Sequence, residues 1–420
     1  MKPIYLPGGI EFYSYRDTRF KQGALSIQFV RPMEKREAAM NALLPAVLLR
    51  GTENYPDLRA ITLHLDDLYG ASVSALVRRV GDFQTTGLYC NFMEDRFALD
   101  GDAILAPMLE FIGELLLNPV TEQGVFPTDF VESEKKNLIS TIESEINDKR
   151  IYASSRLMKI MCRKDSFGLP RLGETEDVET ITAQTLYAHY RTMLEESPVQ
   201  VFYVGSAPTE EVAALLTAQF AKIRRNPVPM PEQTGFCGCE GCHAEETMDV
   251  AQAKLCMGFV TSVTNRTEDF ATMQVLNTVF GGGMTSKLFM NVREKLSLCY
   301  SIGSAYYSTK GIVTVSAGID EENEKIARDE ILAQLDACRE GNITEEELTA
   351  AKEAVLSALR TIHDSPGAIE GYYATATLSG QNADPEAHSR AIGKVTAQDV
   401  ARVAKTLLYH SSFVLKGAGQ

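Results

Sequence analysis

Two short segments of this 420-residue chain recur at nearly the same interval, and that recurrence constrains the fold more than any other feature. Ile181-Thr-Ala-Gln184 opens a helical stretch that leads to an apolar run at 199–204; Val395-Thr-Ala-Gln398 opens another that leads to a run at 412–416. Upstream, Glu134–Ile142 (EKKNLISTI) matches Ala351–Leu359 (AKEAVLSAL) in polarity, position by position. The offsets are 214 and 217 residues. Matching order at matching offset predicts a duplicated domain with small insertions. The length agrees, because a chain this long exceeds one ordinary core and suggests two domains of about 200 residues each.

Each half mixes the same ingredients. Alternating apolar and polar residues predict strands at 8–15, 23–31, 72–80 and 84–92 in the first half, with 199–204 closing it. Helical spacing covers 36–50, 58–69, 102–117, 128–147, much of 152–196, and 209–223. Pro45 falls inside the first helix and predicts a kink or break there, because proline removes one backbone hydrogen bond. The second half repeats the grammar, with strands at 250–260, 299–307, 311–319 and 412–416 and helices at 266–279, 322–339 and 345–361. Hairpin-connected strands with runs of helices predict an α+β fold: two homologous domains, each a mainly antiparallel sheet packed against helices. The expected boundaries are 1–225, a linker at 226–245 rich in Pro and Gly, and 246–420.

Charge narrows the partners. The formal net charge is −15, and no basic patch of the kind a nucleic-acid binder shows stands out. No apolar run reaches the roughly 18 residues of a membrane span, and the first residues, MKPIYLPGGIEFYSY, carry no signal-peptide core. The expectation is a cytoplasmic protein with neither nucleic-acid nor membrane partners. Eight scattered cysteines do not form a secreted disulfide framework.

The densest chemical signal is FGGGMTSKLFMNVREKLSLCY, Phe280 to Tyr300. A glycine turn opens a helix that bears Arg293, and Tyr300 follows seven residues later. By residue type alone, this is a solvated arginine and a tyrosine starting a strand. The turn lacks the G-x-G-x-x-G and GK[ST] patterns of nucleotide sites and reads as close backbone packing.

With the following strands, this run resembles the insulinase/pitrilysin/mitochondrial processing peptidase family, whose usual text there is close to LGGGMSSRLFxxxREKxGLxYS. The resemblance extends to the duplicated halves and covers nearly the whole chain except the cysteine-bearing linker. It implies two homologous α+β domains. It also implies that Arg293 and Tyr300 hold a substrate backbone and assist oxyanion stabilisation at a zinc site. A fixed cation and a phenol suit that task.

In that family the first half carries H-x-x-E-H, in which two histidines four apart on one helix face bind Zn²⁺ and the glutamate acts as base. The motif precedes a Gly-Thr dipeptide, present here as Gly51-Thr52. Counting back, the histidine positions are Ala42 and Ala46, and the base position is Pro45. A later helix usually supplies a third ligand seven residues after a glutamate. Glu134 matches that first glutamate, and the ligand position is Thr141. None of these four side chains is a serviceable zinc ligand or base, so no catalytic residue and no bound zinc are expected in this chain. The pattern is that of family members lacking the zinc motif, which work beside an active homologue. Bacterial examples include those associated with aminopentanol modification of elongation factor P. The resemblance thus implies a non-catalytic subunit of a heterodimeric zinc metalloendopeptidase. Its partner would be an H-x-x-E-H subunit that binds the zinc, with a peptide substrate in a shared chamber. The alternative is an interaction scaffold with no peptidase role.

Two further signals stand outside the resemblance. Cys237, Cys239, Cys242 and His243 have metal-ligand chemistry, but they are crowded and lack a second C-x-x-C pair, so a dedicated metal site is not expected. His64, beside Asp66 and Asp67, reads as a helix-face histidine with solvated acids near it.

Overall fold

A computed structural model describes residues 1–382 and 384–417. The chain forms two compact units. The first comprises residues 1–143, 170–232 and 362–378, and the second residues 144–169, 233–361 and 379–420. A short segment of each sequence half therefore packs into the other unit. Among the described residues, no helix is long and apolar enough to cross a membrane.

The first unit is built on a six-stranded sheet. Its strands are β1 (Ile4–Leu6), β2 (Ile10–Arg16), β3 (Gln22–Pro32), β4 (Ser72–Val80), β5 (Phe83–Met93) and β6 (Val199–Gly205), in the order β1-β2-β6-β3-β5-β4. Only β2 and β6 run parallel. Alternation decides the faces. Leu25, Ile27 and Phe29 of β3 join Leu88, Cys90 and Phe92 of β5 in a core shared with helices Lys35–Leu48, Leu105–Leu117 and Ala183–Glu196. Fully burying one such side chain contributes about 1.5–3 kcal/mol.

The opposite face presents Ser26 and Gln28, which are buried polar groups and need partners. Helix Pro366–Ser379 supplies one, the carboxylate of Glu370. Glu370 accepts from Ser26 Oγ at 2.6 Å and from Gln28 Nε2 at 3.1 Å, and it pairs with both terminal nitrogens of Arg78 at 2.8 and 2.7 Å.

Helix Lys35–Leu48 runs through Pro45 without the break, one of the two outcomes expected there. Proline cannot donate to the carbonyl of Asn41 one turn back. The hydroxyl of Thr86, from β5, donates to that carbonyl at 2.6 Å in a buried setting. A strand side chain thus replaces the missing helical bond.

The second unit has a five-stranded sheet. Its strands are β7 (His243–Met248), β8 (Ala253–Val260), β9 (Cys299–Tyr307), β10 (Ile312–Ile319) and β11 (Leu408–Gly417), in the order β7-β11-β8-β10-β9. β7 and β11 run parallel and all other pairs antiparallel. This repeats the order and the one parallel pair of β2-β6-β3-β5-β4, with β1 as an addition. The repeated TAQ segments explain themselves. Thr182 and Thr396 are both N-caps closed by capping boxes, each leading through a helix to the equivalent strands β6 and β11.

The stretch read as linker is irregular only to Cys242, since His243 already opens β7. Helix Lys149–Met161 covers one sheet face through Ala153, Leu157 and Met161, packed on Cys256, Phe413 and Leu415. A fully buried ion pair, Lys310 to Asp165 at 2.9 Å, lies in this unit.

Candidate functional site

The zinc-motif positions lie in the first unit. Ala42 and Pro45 are buried in helix Lys35–Leu48, and Ala46 is half-buried. Thr141 is exposed on helix Thr128–Asn147, where its hydroxyl donates back to the carbonyl of Asn137 at 2.9 Å. Neighbouring family-like residues have structural work. Glu134 pairs with Arg50 at 3.2 Å. At Gly51 a Cβ would stand 2.6 Å from the carbonyl oxygen of Pro56, so only glycine fits. Buried Thr52 accepts from the backbone N–H of Tyr55. The Gly-Thr dipeptide therefore has a packing role that requires no metal.

Beside these positions lies a buried polar chain that the sequence reading missed. His189 Nε2 donates to Asn41 Oδ1 at 2.7 Å, and Asn41 Nδ2 donates to Gln84 Oε1 at 2.9 Å. Gln84 Nε2 donates to the carbonyls of Ala38 and Arg171. Burial holds the His189 pKa below its usual range, so the imidazole is neutral and structural. Its one sequence signal was an asparagine in the otherwise apolar run AAMNALLPAVL.

His64 is likewise accounted for. It lies against the rings of Tyr55 and Phe111, at centroid distances of 4.5 and 4.7 Å, and desolvation lowers its pKa. It faces an aromatic environment, and Tyr55 Oη is 3.3 Å from its Nδ1.

Arg293 and Tyr300 lie in the second unit. The helix after the glycines is wider than expected. Leu288–Lys295 is a π-helix, and the N–H of Leu296 reaches five residues back to Asn291. Such widened turns are rare and recur at functional sites. Ser297 then takes a positive φ of 53° and ends the element. Gly281 is required by close approach, because a Cβ there would meet Leu288 at 2.7 Å and Ser304 at 2.8 Å.

This frame fixes the guanidinium of Arg293 at three points. Nε donates to the carbonyl of Tyr300 at 3.0 Å, Nη1 pairs with Glu294 at 3.1 Å, and the group stacks 4.5 Å from the centre of the Phe289 ring. Nη2 has no partner among the described residues. Tyr300 is 64% exposed, with its phenol 3.4 Å from both oxygens of Asp320, a long contact. Phe289 and Asp320 are members of this site that the sequence reading did not name. The arrangement offers fixed hydrogen-bond donors for an incoming carbonyl, but no metal ligand set and no nucleophile.

The cysteine-bearing segment does not converge. The Cys239 thiol points to the carbonyl of Met161 at 3.2 Å. His243 is engaged by Ser412 and Glu245, each at 2.8 Å. Among the described residues, the one group of three candidate ligand atoms lying within 4.8 Å of each other is His243, Glu245 and Glu324, with no cysteine. Lys416 bridges its two carboxylates at 2.7 and 3.4 Å and, with His243, holds Glu245 below the usual carboxylate range. An ammonium already sits where a cation would.

A duplicated α+β architecture, with Ala42, Pro45, Ala46 and Thr141 at the zinc-motif positions and a half-buried Arg293 beside an exposed Tyr300, is that of a peptidase-like protein. The chain belongs to the M16 peptidase family. Residues 180–355 match the family model described as the peptidase M16 inactive domain. The chain is 31% identical to the "Probable inactive metalloprotease YmfF" of Bacillus subtilis, over 98% of this chain and 96% of that protein. Its fold is similar to that of a conserved protein from Enterococcus faecalis (TM-score 0.89, 26% identity, 98% and 97% of the two chains). It is also similar to a protease from Helicobacter pylori (TM-score 0.80, 15% identity, 99% of each chain).

Proposed function

We propose that this chain is the non-catalytic subunit of a heterodimeric zinc metalloendopeptidase of the cytoplasm. A homologous partner with H-x-x-E-H would supply zinc and base, and this chain would contribute Arg293 and Tyr300 to a shared peptide chamber. The observation that carries the reading is the contrast between the two sites. Ala42, Pro45, Ala46 and Thr141 can neither ligate nor activate water, whereas Arg293 is held at three points with Nη2 left open beside an exposed phenol. A donor preorganised by its own protein loses little freedom when a substrate carbonyl arrives. The printed name of the Bacillus subtilis relative, an inactive metalloprotease, supports the same direction.

The second reading is a scaffold with no peptidase role. In its favour, the contacts of Arg293 with Tyr300 and Phe289 also brace the start of β9. Mixing the purified chain with an H-x-x-E-H homologue from the same genome, and assaying cleavage of unstructured peptides, separates the two. The subunit reading expects cleavage that Arg293→Ala lowers by 10²-fold or more, in line with loss of an oxyanion-type donor. The scaffold reading expects no change on adding the chain.

A further inference from the structure

The widened turn that presents Arg293 is held by side chains that lie outside the Arg293 site. An α-helix is the competing register for the same residues, and in it Leu296 would reach back to Val292 rather than to Asn291. The contact between Arg293 Nε and the Tyr300 carbonyl spans the end of this turn, so it depends on which register holds. Something outside the helix must favour the wider one.

The start of the helix is tied by charge. Lys287 is only 6% exposed, and its ammonium lies 2.9 and 3.0 Å from the two carboxylate oxygens of Glu347, on helix Glu345–Thr361. A cation this buried requires a partner, and the pair fixes where the turn begins.

The middle is tied by a relay of amides. Asn291 Nδ2 donates to Gln334 Oε1 at 2.7 Å, and Gln334 Nε2 donates to Glu330 Oε1 at 2.6 Å. Gln334 and Glu330 lie one turn apart on helix Glu324–Arg339. The far end sets the direction of the relay. A carboxylate accepts, so Gln334 turns its amide nitrogen to Glu330 and its oxygen to Asn291. Asn291 is thereby held twice. Its side chain is bound by the neighbouring helix, and its backbone carbonyl accepts the Leu296 N–H that widens the turn. All three relay residues are half-buried, where hydrogen bonds are stronger than in open water.

We propose that Gln334 and Asn291 are positioning residues of the Arg293 site: they hold the helix in its widened register and so aim the guanidinium. The consequence for cleavage rests on the subunit reading above, whereas the consequence for Arg293 does not.

The test begins with the full chain alone, carrying isotope-labelled arginine. The Nε–H of Arg293, bonded to the Tyr300 carbonyl, should give a resonance that exchanges slowly with water, assigned by its absence in Arg293→Lys. Gln334→Met keeps the length of the side chain and removes the acceptor. It should speed that exchange about tenfold while lowering the melting temperature by no more than about 4 °C. Asn291→Ala should do the same from the other end of the bond. Combining Glu330→Gln with Gln334→Glu exchanges carboxylate and amide, keeping an acceptor for Asn291 Nδ2 and a donor behind it. That double variant should restore slow exchange, which general loosening of the helix would not allow. In the reconstituted pair, Gln334→Met should lower kcat about tenfold with KM little changed, as expected when a donor acts at the transition state. Slow exchange of the Arg293 Nε–H in folded Gln334→Met and Asn291→Ala overturns the proposal, and so does failure of the double variant to restore it. If the wild-type pair cleaves nothing, the subunit reading fails, and the spectra of the lone chain still decide the positioning.

Discussion

Thr86→Val tests how helix Lys35–Leu48 survives its proline. The carbonyl of Asn41 has lost the N–H that residue 45 would give it, and the Thr86 hydroxyl, 2.6 Å away, replaces that donor. Thr86 is 1% exposed, so water cannot stand in once the hydroxyl is gone. Valine keeps the shape and removes the donor, leaving a buried carbonyl unpaired at a cost of about 1–3 kcal/mol. For a domain of 150–250 residues each kcal/mol lowers the melting temperature by about 2–4 °C. The control is Pro45→Ala, which restores the helical N–H. In that background Thr86→Val should cost under about 0.5 kcal/mol, giving a coupling of about 1–2 kcal/mol between sites 41 residues apart in sequence. Circular-dichroism melts of the four proteins provide the cycle. Equal cost of Thr86→Val in both backgrounds would show that the hydroxyl does not compensate for the proline.

The remaining predictions concern the buried polar groups. His189 and His64 both have pKa values lowered by desolvation, so the unfolded chain binds more protons than the native one below the ordinary histidine value. Their contribution is complete above about pH 6.5 and is lost as pH falls through that value toward the lowered native ones, so melting temperatures should drop on acidification. His189→Gln can still donate to Asn41, and a titration of melting temperature against pH should show a shallower acid loss for it. Lys310→Met leaves the buried Asp165 carboxylate without its cation and should cost about 3–5 kcal/mol in urea unfolding. Glu370→Ala strips Ser26 of its acceptor, leaves Gln28 Nε2 only the Ser26 hydroxyl, and should cost about 2–4 kcal/mol, toward the lower end because Arg78 remains 30% exposed and rehydrates.

These groups also show how far the sequence carried. Strands with clean alternation and helices opened by Thr182 and Thr396 were legible because their signals are local: a period of two, or a capping box within four residues. The duplication was legible for the same reason. What escaped was settled by distant partners. Pro45 reads as a breaker until Thr86 is brought beside Asn41. Glu370 carries no local signal in EGYYATATL, because its partners Ser26 and Arg78 come from β3 and β4. β7 hid in the linker because HAEETM is a polar edge strand whose inward face offers only Ala244, Glu246 and Met248. At the candidate site, the residue types at the zinc-motif positions and the spacing of Arg293 and Tyr300 are readable by position. The π-turn, the Phe289 stack and Asp320 were not, because they depend on backbone geometry.

Arg293 and Tyr300 are proposed to serve a zinc centre held by another chain. The measurement that addresses it most directly is peptide cleavage by the reconstituted pair, with zinc content determined for each subunit separately. Alone, this chain should hold no stoichiometric zinc and show no hydrolysis. Activity should appear when the H-x-x-E-H partner is added and be lost in Arg293→Ala and Tyr300→Phe with the pair still assembled. Stoichiometric zinc with hydrolysis by this chain alone, or full activity of the assembled variants, would contradict it.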